Sequence, residues 1–481
     1  MDEFAGLYNI FVAVLINLTV FTVIMDLYQY GRINLGISNI FAMFGNPFVT
    51  WGLLLGMHLI SAVPFYGVFR LWADNRHSFL SLESIWDLSF AIVLGLFTYS
   101  FYYIPVQVHF AVKLPAASAT MIVLEQLRLT MKLYAFIRSN VPKVVSSCEE
   151  RLLLRVSSNM ITNSTTTRMT GGDHLDKENN LVHLSPKNQS WGTIEGNGCL
   201  SSEKKPGDYH VGDLFKSPCP DYEKFLYFLY APTLVYRDFY PRTSEIRWEF
   251  ILKNVVELLG CIYLYNLIHH LSGYVLVEEF GLEGKALSMK ELITFIFLQM
   301  ITGGFGFILG FFILLQTCQN IGAELLRFGD REFYLDWWNS DSFASYYRKW
   351  NTPVQDFLYT YIYKEAKEAH LDKVNRVLPS VLVFVISSIF HEYVFMFVLQ
   401  VFYPLILVLF GGFGMLLSFV PNKGTKHNGN LFVWWCLLTG NGIIHALYTL
   451  EHFARSNGCP PAENPVLDFF IPRSWTCGAV Y

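Results

Sequence analysis

Charge is what this chain has least of. Asp, Glu, Lys and Arg make up 15% of its 481 residues, against roughly 25% in a soluble domain. A chain of this length needs a polar coat to remain in water, and this one lacks it. Nor is there an excess of one sign. The formal net charge is −4 with mixed signs, which excludes the basic domain or stripe of a nucleic-acid binder. Disorder is excluded for most of the chain, because disorder needs low hydrophobicity and high net charge. Cysteine is sparse as well: eight scattered residues are too few for a disulfide scaffold. No internal repeat is evident. Length alone suggests three domains at about 150 residues each, but that prior fails when apolar residues come in membrane-length blocks.

They do here, where 53% of residues are hydrophobic. A helix needs about 20 mainly apolar residues to cross a hydrocarbon core of about 30 Å. Nine stretches qualify, near 5–25, 47–69, 86–107, 116–137, 248–271, 289–316, 378–399, 401–420 and 431–452. The first lacks the basic flank and cleavage site of a signal peptide, so it reads as a retained span. Only Tyr403-Pro404 breaks the chain before the eighth. The expected fold is all-α, a polytopic membrane protein of about nine transmembrane helices.

Lys and Arg gather in cytosolic loops. With the N-terminus in the cytosol, Arg70, Arg76, Lys423, Lys426 and eight basic residues between spans six and seven fall on that side. The opposite loops hold Arg32, Lys113 and Lys285, with Lys290 at a helix edge and Arg455 and Arg473 in the tail. The C-terminus is then lumenal. Residues 1–139 carry the first four spans, and 225–481 carry the remaining spans, the candidate catalytic region and the tail. Between them, 140–224 is polar without hydrophobic periodicity and reads as a disordered cytosolic loop. Its sequons at Asn163 and Asn188 would stay unglycosylated there. Gly303, Gly304, Gly306 and Gly310 form a small-residue pattern that suits close helix packing in span six. They are no phosphate loop, since no strand precedes them and no Lys-Ser/Thr follows.

His391, with Glu392 beside it, lies well inside the seventh span. An ionisable group at that depth faces a bundle interior or cavity and marks function by default; a neutral histidine bonded between helices is the plainer alternative. A zinc motif of the His-Glu-x-x-His type is excluded because residue 395 is Phe. Ser387, one turn earlier on the same face, is placed to hold one imidazole nitrogen in a defined tautomer. A neutral imidazole is a suitable general base for a weakly acidic hydroxyl. The loop between spans six and seven is the second region of interest: Phe333-Tyr334-Leu335-Asp336-Trp337-Trp338-Asn339, then Tyr346-Tyr347-Arg348-Lys349-Trp350-Asn351. An interfacial aromatic belt and a functional loop are equal readings of it. Arg348 and Lys349 suit either an anionic group or ordinary positive-inside charge.

The strings FYLDWWN (333–339), WN (350–351) and HEY (391–393) resemble the membrane-bound O-acyltransferase family. With YAPTLVYRDFYPR (230–242), LRFGDREFYLDWWN (326–339) and PRSWTC (472–477), the chain resembles the sterol O-acyltransferases more closely. The resemblance covers most of the chain from about 114 onward. It implies that family's fold and transfer of a long-chain acyl group from coenzyme A to the 3β-hydroxyl of a sterol in the endoplasmic reticulum membrane. By residue, it implies His391 as catalytic base with Asn351 as partner, and Trp350 and Ser387 as active-site neighbours. Asp336 and Asn339 would fix the loop, while Phe333, Tyr334, Trp337 and Trp338 line the acyl path. Acyl-CoA is a substrate, no cofactor or metal is permanently bound, and a homodimer or higher homo-oligomer in the lipid bilayer is implied. So is a lumenal disulfide between Cys459 and Cys477. Gln355 departs from the pattern, standing where a second histidine is expected. The related enzymes also carry a cytosolic segment before the first span, which leaves a truncated chain or an enzyme that stops at a dimer. Two rival functions are a diacylglycerol O-acyltransferase, which shares the first string but should lack the tail, and a lipid transporter or lipid-binding protein using His391-Glu392 as relay or ligand site.

Overall fold

The computed structural model describes residues 5–33, 35, 37–76, 83–168, 219–271, 277, 279–282, 285–421 and 424–477. Among them the fold is helical, with one isolated antiparallel bridge between Arg242 and Phe328. Six helical stretches are long and apolar enough to cross a membrane: Pro47–Asn75, Ile85–Val112, Trp248–Ile268, Met289–Leu325, Leu378–Leu399 and Lys426–Ser456. The first and eighth expected spans are represented by the shorter Val12–Tyr28 and Leu407–Ser418. The fourth, 116–137, lies within the helix Ala116–Arg168, where Glu125, Arg128 and Lys132 interrupt the apolar run. Among the described residues, six stretches therefore meet the length and composition of a span.

The described chain divides into two units. One comprises Met1–Val68, Ser89–Ser139 and Asp221–Tyr481; the other comprises Phe69–Leu88 and Asn140–Pro220. Within the second, Arg76 donates to both oxygens of Asp87 at 3.1 and 3.0 Å, and Trp72 Nε1 donates at 2.9 Å. The helix Ala116–Arg168 continues past residue 140 into the segment expected to be a polar loop. Extending an existing helix adds a bond per residue without fresh nucleation, and Glu149 to Arg155 are good helix formers. Residues 169–218, with Asn188, lie outside the described residues.

In the larger unit the pairing of Met289–Phe311 with Lys426–Ser456 matters most for the site. Ser288 and Glu291 start the first helix with a reciprocal capping box, satisfying two donors that a helix start leaves open. A Cβ added to Gly303 would meet Asn441 O and His445 Cβ at 3.3 Å, and one on Gly306 would meet Tyr265 at 3.3 Å. The glycines thus let neighbouring helices approach closely. Gly442 answers from the opposite helix, where a Cβ would lie 2.7 Å from Met300 Cα. Backbone cannot swing aside as a side chain can. Gly442→Ala should therefore destabilise by about 1–3 kcal/mol. Gly440→Ala, which meets nothing within 4 Å, should be neutral or gain up to about 1 kcal/mol of helix propensity. Thermal unfolding in detergent separates the two, and equal shifts would refute the packing argument.

Helix Lys426–Ser456 also connects two ends of this unit. Near its start Asn430 Nδ2 donates to Trp338 O and Ser340 O at 2.8 and 2.9 Å. Near its end the buried Glu451 accepts from Arg473 N at 3.1 Å and from Ser474 N and Oγ at 2.9 and 2.8 Å. The rise between residues 430 and 451 is about 32 Å at 1.5 Å per residue. The tail is further tied by the Cys459–Cys477 disulfide, with Cα atoms 5.5 Å apart. Arg473 grips Asp468 in two bonds of 2.7 and 2.8 Å and holds its carboxyl below the usual range. Trp475 Nε1 donates to Tyr403 OH at 3.1 Å. PRSWTC is therefore a docking motif, with Arg473, Ser474, Trp475 and Cys477 each matched to a partner.

Candidate active site

The aromatic loop is built by backbone pairing between two of its strings. Leu335 N donates to Lys349 O at 2.9 Å, Thr352 N donates to Phe333 O at 3.1 Å, and Thr352 Oγ1 donates to Glu332 O. The FYLD segment is thereby laid beside Lys349-Trp350-Asn351-Thr352. Lys349 Nζ reaches Asp336 Oδ1 at 2.8 Å; with help from Asn339, it lowers the Asp336 carboxyl below its ordinary value. Trp337–Asn339 form one 3₁₀ turn, whose Trp338 carbonyl also accepts from Trp434 Nε1 at 3.1 Å.

The rings pack inward. Trp350 stacks on Phe307 with centroids 4.4 Å apart and meets Trp337 edge-on at 4.7 Å. Trp337 is 3% exposed, whereas a belt would leave its rings on the outside. Tyr334 turns its edge to Phe311 at 4.7 Å and donates to Gln316 Oε1 at 2.5 Å. Gln316 lies in a π-helical stretch, Phe312–Cys318, of the kind frequent at functional sites. Phe333 is not part of this cluster; it packs instead with Ala231, Ala323 and Phe328.

That second cluster belongs to the YAPTLVYRDFYPR segment, which one buried charge anchors while a second holds Arg247, past its end, and Arg331 of the LRFGDREFYLDWWN string. Lys132 Nζ donates to the carbonyls of Phe228, Ala231 and Thr233 at 2.5, 2.7 and 2.8 Å, so every ammonium proton has a partner. Glu324, fully buried, accepts from Arg247 Nε and Nη2 at 3.1 and 2.9 Å and also from Arg331 Nη1. Gly329 N donates to Pro241 O at 2.8 Å, and a Cβ there would sit 3.1 Å from that oxygen. The two longest motif strings are therefore paired with each other, which makes the first a scaffold.

His391 occupies the middle of Leu378–Leu399. Its Nδ1 lies 2.7 Å from Ser387 O. A carbonyl only accepts, so Nδ1 carries the proton and Nε2 keeps its lone pair; the hydrogen-bond network assigns the tautomer. The partner is the backbone carbonyl of Ser387 and not its hydroxyl, as a side chain leaning back over the preceding helical turn dictates. The imidazole retains accessible surface. The Phe410 ring stands 5.2 Å away. Tyr347 meets Phe410 at 5.6 Å and Tyr346 at 5.2 Å, and Tyr346 meets Trp350 at 5.6 Å. A continuous wall of rings thus joins the loop to His391.

Asn351 caps the helix Thr352–Leu358: its Oδ1 accepts from Val354 N at 3.2 Å. This identifies the oxygen and leaves the amide Nδ2 as a free-standing donor group. His391 and Asn351 each bond to backbone, and neither bonds to the other. Five contributors were not singled out in the sequence: Asn430, Trp434, Phe410, Glu324 and Lys132. The last two carried a signal, charge within or at the end of an apolar helix.

The membrane-bound O-acyltransferase family model matches residues 117–450. Sterol O-acyltransferase 1 of Mus musculus is 31% identical over 489 residues, covering 100% of this chain and 77% of that protein. The Rattus norvegicus protein of the same name is 32% identical over 486 residues, covering 100% and 76%. Sterol O-acyltransferase 2 of Homo sapiens is 31% identical over 483 residues, covering 99% and 77%. This chain belongs to the membrane-bound O-acyltransferase family and is a multi-pass membrane acyltransferase.

Proposed function

We propose that this enzyme transfers a long-chain fatty acyl group from coenzyme A to the 3β-hydroxyl of a sterol in the endoplasmic reticulum membrane. One observation carries the mechanism: His391 Nδ1 lies 2.7 Å from Ser387 O, which leaves Nε2 as the ring nitrogen with a lone pair to offer. Nε2 takes the hydroxyl proton as the oxygen attacks the thioester carbonyl. The tetrahedral oxyanion accepts from Asn351 Nδ2. Collapse expels the coenzyme A thiolate, which recovers the proton from the imidazolium, and no covalent enzyme intermediate is needed. The rings of Trp337, Trp338, Trp350 and Tyr334 suit an apolar acyl path. Lys349 is paired with Asp336, so exposed Arg348 is the better candidate for a coenzyme A phosphate. The sterol class of the acceptor comes from the relatives, which match over essentially the whole chain. Microsomes given radiolabelled oleoyl-CoA with sterol or diacylglycerol separately should yield sterol ester; triacylglycerol as the sole product would overturn the reading.

The proposed orientation is a cytosolic N-terminus and lumenal C-terminus, with about nine crossings. Supporting it, the aromatic loop and the tail hold opposite ends of Lys426–Ser456, and the disulfide suits an oxidising lumen. The segment after His391's helix also runs between those ends. Tyr403 meets the tail, while Leu417 packs with the aromatic cluster. Sugar on Asn163 would contradict this orientation. The enzyme is further proposed to work as a homodimer or higher homo-oligomer.

A further inference from the structure

His391, Glu392 and Tyr393 are consecutive on one helix, so about 100° separates each from the next. They consequently face three different neighbours. Tyr393 OH donates to the buried Gln126 Oε1 at 2.7 Å. Glu392, 3% exposed, accepts from Ile406 N and Leu407 N at 3.1 and 3.2 Å through Oε2, and from Tyr448 OH at 3.4 Å through Oε1. Its partners are therefore the open backbone donors at the start of the following helical segment, which runs to Ser418. That segment contains a π-helical stretch, Leu407–Gly414. It places Phe410 beside the His391 ring at 5.2 Å. It also brings Gly411 so near the His391 helix that a Cβ there would lie 2.7 Å from Ser388 Oγ.

We infer that Glu392 is a positioning residue, clamping the 405–418 segment so that Phe410 and Gly411 close the wall against His391. The role rests on the reading of His391 as base, and it takes no part in proton transfer. Because Oε2 acts only as an acceptor for two backbone N–H groups, a carboxamide oxygen can replace it. Charge is not required.

The test compares Glu392→Ala with Glu392→Gln in full-length enzyme purified in detergent, using steady-state kinetics and hydrogen–deuterium exchange of peptides from 403–418. Glu392→Ala is expected to raise exchange there and to lower kcat about 10²-fold, the cost of a small misplacement of reacting groups, with KM for oleoyl-CoA little changed. Glu392→Gln should restore both. Equal losses in the two variants with unchanged exchange would mean that the charge acts in the chemistry, and would overturn the clamp. Raised exchange with normal kcat would also overturn it. If Glu392→Ala does not fold, Gly411→Ala approaches from the other side, displacing the segment with Glu392 intact. It should raise exchange and lower kcat in the same way, and normal values of both would count against the inference. In a His391→Ala background the Glu392→Ala loss should vanish, because the effect passes through the imidazole. The exchange readout does not depend on His391, so failure of the base assignment is seen separately.

Discussion

His391→Ala should lower kcat by about 10²–10⁴-fold, the usual contribution of a positioned general base, while the protein remains folded. The second part follows from how little the imidazole supports. Its hydrogen bond runs to Ser387 O, one turn back on its own helix, and the Phe410 ring stands 5.2 Å away. Removing it deletes no bridge between helices, unlike Glu392 or Tyr393. The first part follows from the tautomer. A sterol hydroxyl is a poor nucleophile until a base withdraws its proton, and Nε2 is the ring nitrogen with a lone pair free for that. His391→Gln should be equally inactive, since an amide is no base at this pH. Initial rates normalised to monodisperse enzyme decide the matter. Activity within about three-fold of wild type, against the 10²-fold minimum expected of a lost base, would end the assignment.

How far the sequence led differs from residue to residue. Hydropathy located the long spans because burial in lipid demands unbroken apolar runs. At 116–137 the apolar run also holds Lys132, whose three carbonyl partners from 228–233 no local window contains. At His391 the contact with residue 387 was legible from helical spacing, but the atom was not. Spacing says which residue lies beneath, whereas side-chain direction decides that the backbone carbonyl is what the ring meets. The aromatic loop was ambiguous for a different reason. Belt and packed wall need the same Trp and Tyr content, and they are told apart by Asn430 and Trp434 bonding the Trp338 carbonyl, far along the chain. PRSWTC had no physical explanation until Glu451 and Asp468 supplied the acceptors for Arg473 and Ser474. Motif strings mark where partners will be needed; tertiary packing names them.

Asn351 offers the second large effect and the cleaner separation of roles. Asn followed by Thr352 and Pro353 is a helix-start pattern, and the side chain does act as a cap through Oδ1. The same residue is the proposed oxyanion donor through Nδ2, so replacement by alanine removes two functions together. Asn351→Asp removes one. Its carboxylate can still accept from Val354 N, and negative charge at a helix start is favourable. It cannot donate, and it places charge where the oxyanion develops. Asn351→Asp should therefore unfold at the wild-type temperature or slightly above, yet lose about 10²–10³-fold in kcat, the cost of one oxyanion donor. Asn351→Ala should lose a similar factor and, in addition, about 1 kcal/mol of stability with its cap. The opposite pattern, an active aspartate and an inactive alanine, would mean that Asn351 serves only to start its helix and hold Trp350 against Phe307. The oxyanion would then need another donor. Because Asn351 and His391 would act on the same transition state, the double variant should be little worse than His391→Ala alone. Additive losses would place the two residues in separate steps.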